Sequence, residues 1–289
     1  MWLGIDAGGT HTEALVGDGA VRGRGEGGPC NALRETSDTL RRSLGDASGA
    51  ALRRAGRLRD ALQGVCVGMA GVGDPAARAQ AFSVLEELFP GVPLHLCTDG
   101  HVALVGAFGA GPGIMVQVGT GAIALSSDGR RCGGWGWMVG DEGSAVELGR
   151  RALRRALQAM DGRRHATLLG PAIMDRWGLA ELKHAVGRVH DAPHPARLLA
   201  DLFPLLVEVA AQEDAAAIEI LWNGGLKLAR LAVALLHPAL PVAAGGGVFR
   251  YSPVTFEAFA QAVEKASGVR PEMARKSPAE GALWLATNR

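Results

Sequence analysis

The chain opens on a short apolar run, residues 2–5, that breaks at Asp6-Ala7-Gly8-Gly9-Thr10 and resumes as a loose alternation over residues 11–16. An apolar run, a glycine turn and an alternating run predict a β-hairpin. Residues 21–28 predict a third strand loosened by glycine. Over residues 33–62 leucine and alanine recur near helical spacing with arginines between them, which predicts an amphipathic helix. Residues 65–70 have the continuous apolar character of a buried strand. Gly71-Val72-Gly73 and a helix from about Pro75, a good first-turn residue, come next. Residues 93–97 predict another strand, closing on Thr98-Asp99-Gly100 ahead of a short helix to residue 108. The glycine–proline stretch 109–113 marks a domain boundary.

A second cycle then repeats the design. Residues 114–118 and 122–126 predict two strands around the turn Gly119-Thr120-Gly121. A tryptophan–glycine loop, residues 133–143, leads into a mainly helical stretch, 145–237. Residues 241–244 predict a strand closing on Gly245-Gly246-Gly247. A helix near 256–267, a strand near Glu272 and a last helix from Pro278 complete the chain. Two hairpin-led halves of like order predict an internal duplication, an α/β fold of two domains.

Composition narrows the class. Of 289 residues 42 are glycine, against a usual share of about 7%. They follow no collagen period. A hydrophobic share of 48% and a net charge of +1 exclude a disordered chain. The same balance argues against a broad nucleic-acid surface. No apolar run approaches the roughly 18 residues of a membrane span, and the first residues lack a basic, apolar leader. A cytoplasmic protein without a membrane or nucleic-acid partner is the expectation. The four cysteines, Cys30, Cys66, Cys97 and Cys132, form no C-x-x-C pair. Two of them sit in apolar runs and read as small buried hydrophobes. His184, His190 and His194 read as a solvated helix end and loop.

The two hairpin turns carry the first candidate chemistry. A glycine-rich turn points successive backbone N–H groups into one concavity that suits an anion, and glycine lets a phosphate approach closely. Thr10 and Thr120 add hydroxyls at equivalent places. Asp6, at the end of its strand, is a candidate Mg²⁺ ligand, since Mg²⁺ takes few carboxylates together with phosphate oxygens. A third glycine element, Gly245-Gly246-Gly247, follows a strand and precedes a helix, as a platform for adenosine would. Neither a P-loop nor a dinucleotide-binding fingerprint occurs.

The motifs DAGGTHT (Asp6 to Thr12), VGTGA (Val118 to Ala122) and AAGGGV (Ala243 to Val248) resemble the two phosphate motifs and the adenosine motif of the sugar kinase/actin/heat-shock chaperone superfamily. GMAGVG, CTDG and above all CGGWGWMVGDEGSA (Cys132 to Ala145) resemble the N-acetylglucosamine kinase-like members of the BadF/BadG/BcrA/BcrD ATPase family. That resemblance implies two ribonuclease H-like (actin-like ATPase) domains with an interdomain cleft. The first domain is expected over 1–108, completed by a terminal helix 277–289, and the second over 109–276. It implies an ATP-dependent kinase that phosphorylates the 6-hydroxyl of an amino sugar, N-acetylglucosamine first, with Mg²⁺, as a homodimer.

Under that resemblance Asp99 is the catalytic base. Gly8, Gly9, Thr10, Thr12, Gly119, Thr120, Gly121, Ala210, Gly245, Gly246 and Gly247 hold the nucleotide. Asn31, Gly71, Asp99, Gly134, Trp135, Gly136, Asp141 and Glu142 hold the sugar. An aromatic face with a few polar groups is how proteins take a carbohydrate. Asp141 and Glu142 also stand where they could cap the helix behind them. Ala122, where these kinases often carry serine, and His11 depart from the pattern. Glucosamine, N-acetylmuramic acid and glucose are alternative acceptors. A second function, activation of a 2-hydroxyacyl-CoA dehydratase or benzoyl-CoA reductase, needs interface cysteines for an iron–sulfur cluster, whereas Cys66 and Cys97 fall in predicted strands.

Overall fold

The computed structural model describes residues 1–236 and 240–288. The predicted last residues of the helical stretch (237) and of the terminal helix (289) lie outside the described residues. The chain divides into two compact units, Met1–Pro112 with Ala274–Arg289, and Gly113–Met273.

In the first unit β1 (Trp2–Ala7), β2 (Thr12–Gly17), β3 (Val21–Gly27), β4 (Gly64–Met69) and β5 (Leu94–Thr98) form one sheet in the order β3-β2-β1-β4-β5. The first three are joined antiparallel, and β4 and β5 run parallel to β1. Alternate residues of β1 serve opposite faces. Leu3, Ile5 and Ala7 join the core under α1 (Ser37–Arg54) and α2 (Pro75–Leu88). Gly4 lies instead against α12 (Pro278–Thr287), which packs beside α3 (Asp99–Phe108).

The predicted helix over 33–62 is shorter than its periodicity. Thr36 accepts from the Thr39 N–H and starts α1. Gly56, at φ +62°, stops the chain from continuing as α-helix, and Arg59–Ala61 forms only a 3₁₀ turn.

Close backbone approach explains the glycines of β3. A β-carbon on Gly23, Gly25 or Gly27 would lie 2.1, 2.0 or 2.2 Å from a carbonyl oxygen of α1 (Ala51, Ala47 and Ser43, respectively). The helix therefore rests on bare backbone. At Gly4 the same clash would be with the Leu283 amide nitrogen of α12, at 2.1 Å. A capping box holds the start of α12: Ser277 accepts from the Glu280 N–H, and the Glu280 carboxylate accepts from the Ser277 N–H.

The second unit repeats the topology. β6 (Ile114–Val118), β7 (Ala122–Ser126), β8 (Arg131–Gly133), β9 (Val242–Gly245) and β10 (Glu272–Met273) form a sheet in the order β10-β9-β6-β7-β8. Strand for strand this matches the first sheet: a hairpin, a third antiparallel strand, then two parallel additions. β8 is a strand that the sequence does not predict, and it ends at Gly133, where the predicted tryptophan–glycine loop begins.

The long helical stretch is six helices: α4 (Ala145–Met160), α5 (Leu169–Trp177), α6 (His184–His190), α7 (Pro195–Ala200), α8 (Leu202–Ala210) and α9 (Ala215–Val233). Left-handed Gly162 and Gly178 and the proline at the start of α7 account for the first breaks. Asp214 starts α9 by accepting from the Ala217 N–H, and also takes the Leu168 N–H and the Thr167 hydroxyl ahead of α5. α10 (Gly247–Tyr251) and α11 (Pro253–Ser267) follow β9. Among the described residues no helix is long and apolar enough to cross a membrane.

Replacing Gly25 by valine should destabilise the first unit by roughly 3 kcal/mol, because neither the α1 backbone nor β3 can yield 1 Å cheaply. Chemical denaturation followed by far-UV circular dichroism measures this. Unchanged unfolding would show that α1 is not seated on β3.

Candidate active site

In the first unit the candidate residues gather at one end of the sheet. The β1–β2 turn is closed by the Gly8 N–H on the His11 carbonyl, at 3.0 Å. Gly9 and Thr10 are exposed at its tip. Thr12, by contrast, is fully buried and donates its hydroxyl to the Gly28 carbonyl at 2.8 Å. It braces the loop after β3 instead of presenting a hydroxyl to a ligand. The Cys30 N–H on the Gly8 carbonyl pins the same loop to the turn.

Asn31 follows on that loop. Its Oδ1 accepts from the Leu33 N–H at 2.9 Å, which turns the amide and leaves its NH₂ without a partner among the described residues. Gly71, at φ +88°, passes so close that a β-carbon would stand 2.7 Å from this Oδ1. Gly9 lies against the Asn31 NH₂, with 4.0 Å to where its β-carbon would be. The structure thus brings Asn31, Gly71 and the first turn together.

Asp99 is the first residue of α3. The capping role is filled by its neighbour: Thr98 Oγ1 accepts from the His101 N–H. Asp99 keeps its carboxylate outside the cap, with one oxygen on the Gly100 N–H at 2.9 Å. Desolvation raises its pKa against the opposing pull of that N–H. Asp6 is pushed up further, to about 7, by burial first and then by the negative charges of Asp99 and Glu13. Glu13 itself, opposite Asp6 in the β1–β2 register, is paired with Arg24 at 3.0 Å. Asp6 is therefore a carboxyl raised chiefly by desolvation, with the negative charges of Asp99 and Glu13 adding to the shift.

In the second unit, the Gly119 N–H closes its turn on the Gly121 carbonyl at 2.9 Å, and the Ala145 N–H reaches the Gly119 carbonyl. Asp141 lies directly on Gly121, where a β-carbon would come 3.0 Å from Oδ2. Asp141 is buried and left-handed, at φ +56°, a conformation that aspartate tolerates better than most residues. Glu142 is exposed. The expected capping role of this pair falls to Ser144, which accepts from the Glu147 N–H at 3.3 Å. Asp141 stands outside the cap, with its carboxylate against Gly121.

Gly246, at φ +95°, is pressed on the end of β6: its β-carbon would stand 2.0 Å from the Val118 carbonyl oxygen. The glycine loop 245–247 and the turn 119–121 are thus neighbours. Gly134 bonds to the Ala122 carbonyl at 2.9 Å, and Gly140 to that of Gly136 at 2.8 Å. Trp135 projects from this loop, 69% exposed, with the Arg131 guanidinium over its ring at 4.8 Å. The Ala122 methyl is buried, so this departure from the kinase pattern lies in the core. Ala210, buried at the end of α8, belongs to the same unit's core.

Two contributions were invisible in the motifs. Glu147 Oε2 accepts from the Gly143 N–H at 2.9 Å, while Oε1 takes Lys227 at 2.6 Å and a short bond from Arg151. Burial alone would raise its pKa, but these donors outweigh it and hold the carboxyl below the usual range. Glu147 so anchors the loop that carries Asp141. Gln117 Oε1, buried and without a partner among the described residues, would stand 2.5 Å from a β-carbon on Gly245. Only the i,i+4 spacing of Glu147 and Arg151 hinted at the first; nothing marked the second.

A duplicated five-stranded sheet unit, with a glycine turn at the leading hairpin of each copy, defines a two-domain α/β fold of the actin-like ATPase and sugar kinase type. The chain belongs to the BadF/BadG/BcrA/BcrD ATPase family, whose sequence profile matches residues 3–286. It is similar to an N-acetylmuramic acid/N-acetylglucosamine kinase of Clostridium acetobutylicum, with 32% identity over 183 residues, 60% of this chain and 58% of that one. A glucosamine kinase of Vibrio cholerae is 29% identical over 182 residues, 61% of each chain. These matches span about three-fifths of the length of both curated relatives. A solved structure of a candidate N-acetylglucosamine kinase from Chromobacterium violaceum superposes with a TM-score of 0.83 at 30% identity, covering 99% of this chain and 98% of that one.

The raised Asp6 has a measurable consequence. Between its ordinary value of 3.8 and about 7 the folded chain holds a proton that the unfolded chain has released. Stability therefore falls as pH rises through that window and then levels off. Without nucleotide or divalent cation, Asp6→Asn should melt above the parent at pH 8 and converge with it towards pH 4. Parallel melting curves would show that the Asp6 carboxyl is not raised in the folded chain.

Proposed function

We propose that the chain is an ATP-dependent sugar kinase that transfers the γ-phosphate of ATP to the 6-hydroxyl of an amino sugar, most readily N-acetylglucosamine. The observation that carries this reading is Asp99. It is an exposed carboxylate relieved of capping by Thr98 and set at the C-terminal end of a parallel strand, where open α/β sheets bind ligands. In this role Asp99 accepts the proton of the sugar hydroxyl as its oxygen attacks the γ-phosphorus, and ADP departs. Phosphoryl transfer through a loose transition state asks the protein mainly for positioning and charge neutralisation. The names carried by the C. acetobutylicum and C. violaceum relatives support the amino-sugar class; the V. cholerae relative's name keeps glucosamine as an alternative acceptor.

The turns at 8–10 and 119–121, apart from the Gly8 and Gly119 N–H groups that close them, supply backbone N–H donors for the phosphates, with Thr10 and Thr120 beside them. Gly245, Gly246 and Gly247 form the adenosine platform, and the Gln117 carbonyl adds an acceptor there. The Asn31 NH₂ and Asp141 bind sugar hydroxyls, while Trp135 offers its indole face with Gly134 and Gly136 at the loop's turns. Asp6, with the negative charges of Asp99 and Glu13 acting on it, fits a hard divalent cation, which takes oxygen donors. Mg²⁺ held through Asp6 would neutralise phosphate charge. ATP and free amino sugars place such an enzyme in the cytoplasm, and a homodimer completes the reading.

A coupled ATP-consumption screen over amino sugars and hexoses should give the highest kcat/KM with N-acetylglucosamine. Absence of turnover with every sugar would refute the kinase. Asp99→Asn should retain ATP affinity and lose turnover by about 10³-fold; near-normal turnover would exclude it as the base. Gly246→Val should weaken ATP binding at least about tenfold, since both its φ and its contact with Val118 exclude a side chain. Unchanged affinity in calorimetry would remove the glycine loop from the nucleotide site.

A further inference from the structure

β4 and β5 run parallel with Cys66 opposite His95 and Gly68 opposite Cys97. Residues opposite each other in a ladder share a face, so Cys66, His95 and Cys97 lie on one face; the fourth position, Gly68, carries no side chain and takes Val102 against its backbone. The two sulfurs and an imidazole nitrogen all lie within 4.8 Å of one another. Cys66 is buried, whereas His95 and Cys97 are half-buried on the sheet's edge strand, which leaves a way in for an ion. The shell around the thiols is apolar, formed by Trp2, Val102, Ala282, Leu285 and Ala286. Cys97 Sγ lies 3.7 Å from the Val67 carbonyl, a weak thiol hydrogen bond.

We infer that Cys66, His95 and Cys97 form a binding site for a thiophilic d¹⁰ cation, Zn²⁺ or Cu⁺. Two thiolates and an imidazole are the donor set that such ions select, and Mg²⁺ does not. Around zinc at ordinary bond lengths the donor atoms stand roughly 3.5–3.8 Å apart, so no pair, all being within 4.8 Å, has to close by more than roughly 1.3 Å on loading. Each thiol releases its proton to solvent as its sulfur binds. Zn²⁺ with two thiolates and a neutral imidazole carries no net charge, which suits an apolar shell. No fourth histidine, cysteine or carboxylate joins the group among the described residues. That favours three-coordinate Cu⁺, or Zn²⁺ completed by a small external ligand. The site is independent of the kinase reading, although Cys97 lies in the strand that ends beside Asp99.

The reduced full-length protein, desalted after incubation with one equivalent of Zn²⁺ or of chelator-buffered Cu⁺, tests this by metal analysis and thiol titration. One ion per chain should be retained, two thiols should lose reactivity, and the melting temperature should rise. Retention of one ion but not the other supports the site and names its cation. Cys97→Ser and His95→Gln, at the sheet edge, should each weaken binding about tenfold or more, and Cys30→Ser should leave it unchanged. Cys66→Ser serves as a third variant if it folds. No stoichiometric retention of either ion, or full retention in both edge variants, would overturn the inference.

Discussion

The constraint on which the rest of this molecule depends is that helices rest on strands at backbone contact. Where α12 crosses β1, Gly4 leaves no room for a β-carbon against Leu283, and where α1 crosses β3 three alternate glycines do the same. With side chains there the helices would stand off by the width of a methyl group, and the close packing that protein interiors need would be lost. This contact clamps β1 between α1 on one face and α12 on the other. Asp6 rides on the end of β1, so its position follows from that clamp. Asp99 is set in turn by β5 and by α3, which packs along α12.

A rigid frame fixes where Asp6 stands, and burial, more than the neighbouring charges of Asp99 and Glu13, raises its carboxyl. Perturbed groups of this kind cluster at functional sites. The second unit also fixes a carboxylate by its frame. Asp141 is held left-handed against Gly121 because its loop is anchored at Gly143 by the buried Glu147–Lys227 pair. Removing Glu147 would take away the acceptor of the Gly143 N–H and release the loop, whereas removing Lys227 would leave the carboxylate to Arg151 and that N–H.

The glycine content illustrates how one residue type serves two ends. Gly71 and Gly246 need positive φ beside candidate ligand positions, as the motifs imply. Gly23, Gly25 and Gly27 have no such role: they are seats for α1. Their alternation with Arg22, Arg24 and Glu26 reads in sequence as a weak, loosened strand, because nothing local records a helix some twenty residues later lying across it.

Periodicity and turn chemistry were enough to locate both hairpins, the buried strand β4, the helix-opening proline of α2 and the repeated order of the halves, since each rests on local backbone preference. The same local signals placed Asp99 between a strand and a helix, a position where a carboxylate can also serve as the helix cap. Competition with its neighbour decided the matter: Thr98 reaches the His101 N–H, so Asp99 does not have to. Thr12 lost its expected place at the phosphates for a related reason, its hydroxyl being claimed by a carbonyl sixteen residues away. Cys66, His95 and Cys97 meet only because β4 and β5 pair in a register that brings positions about thirty residues apart onto one face. Contacts of that separation are set by packing over the whole core, and no short stretch of chain encodes them.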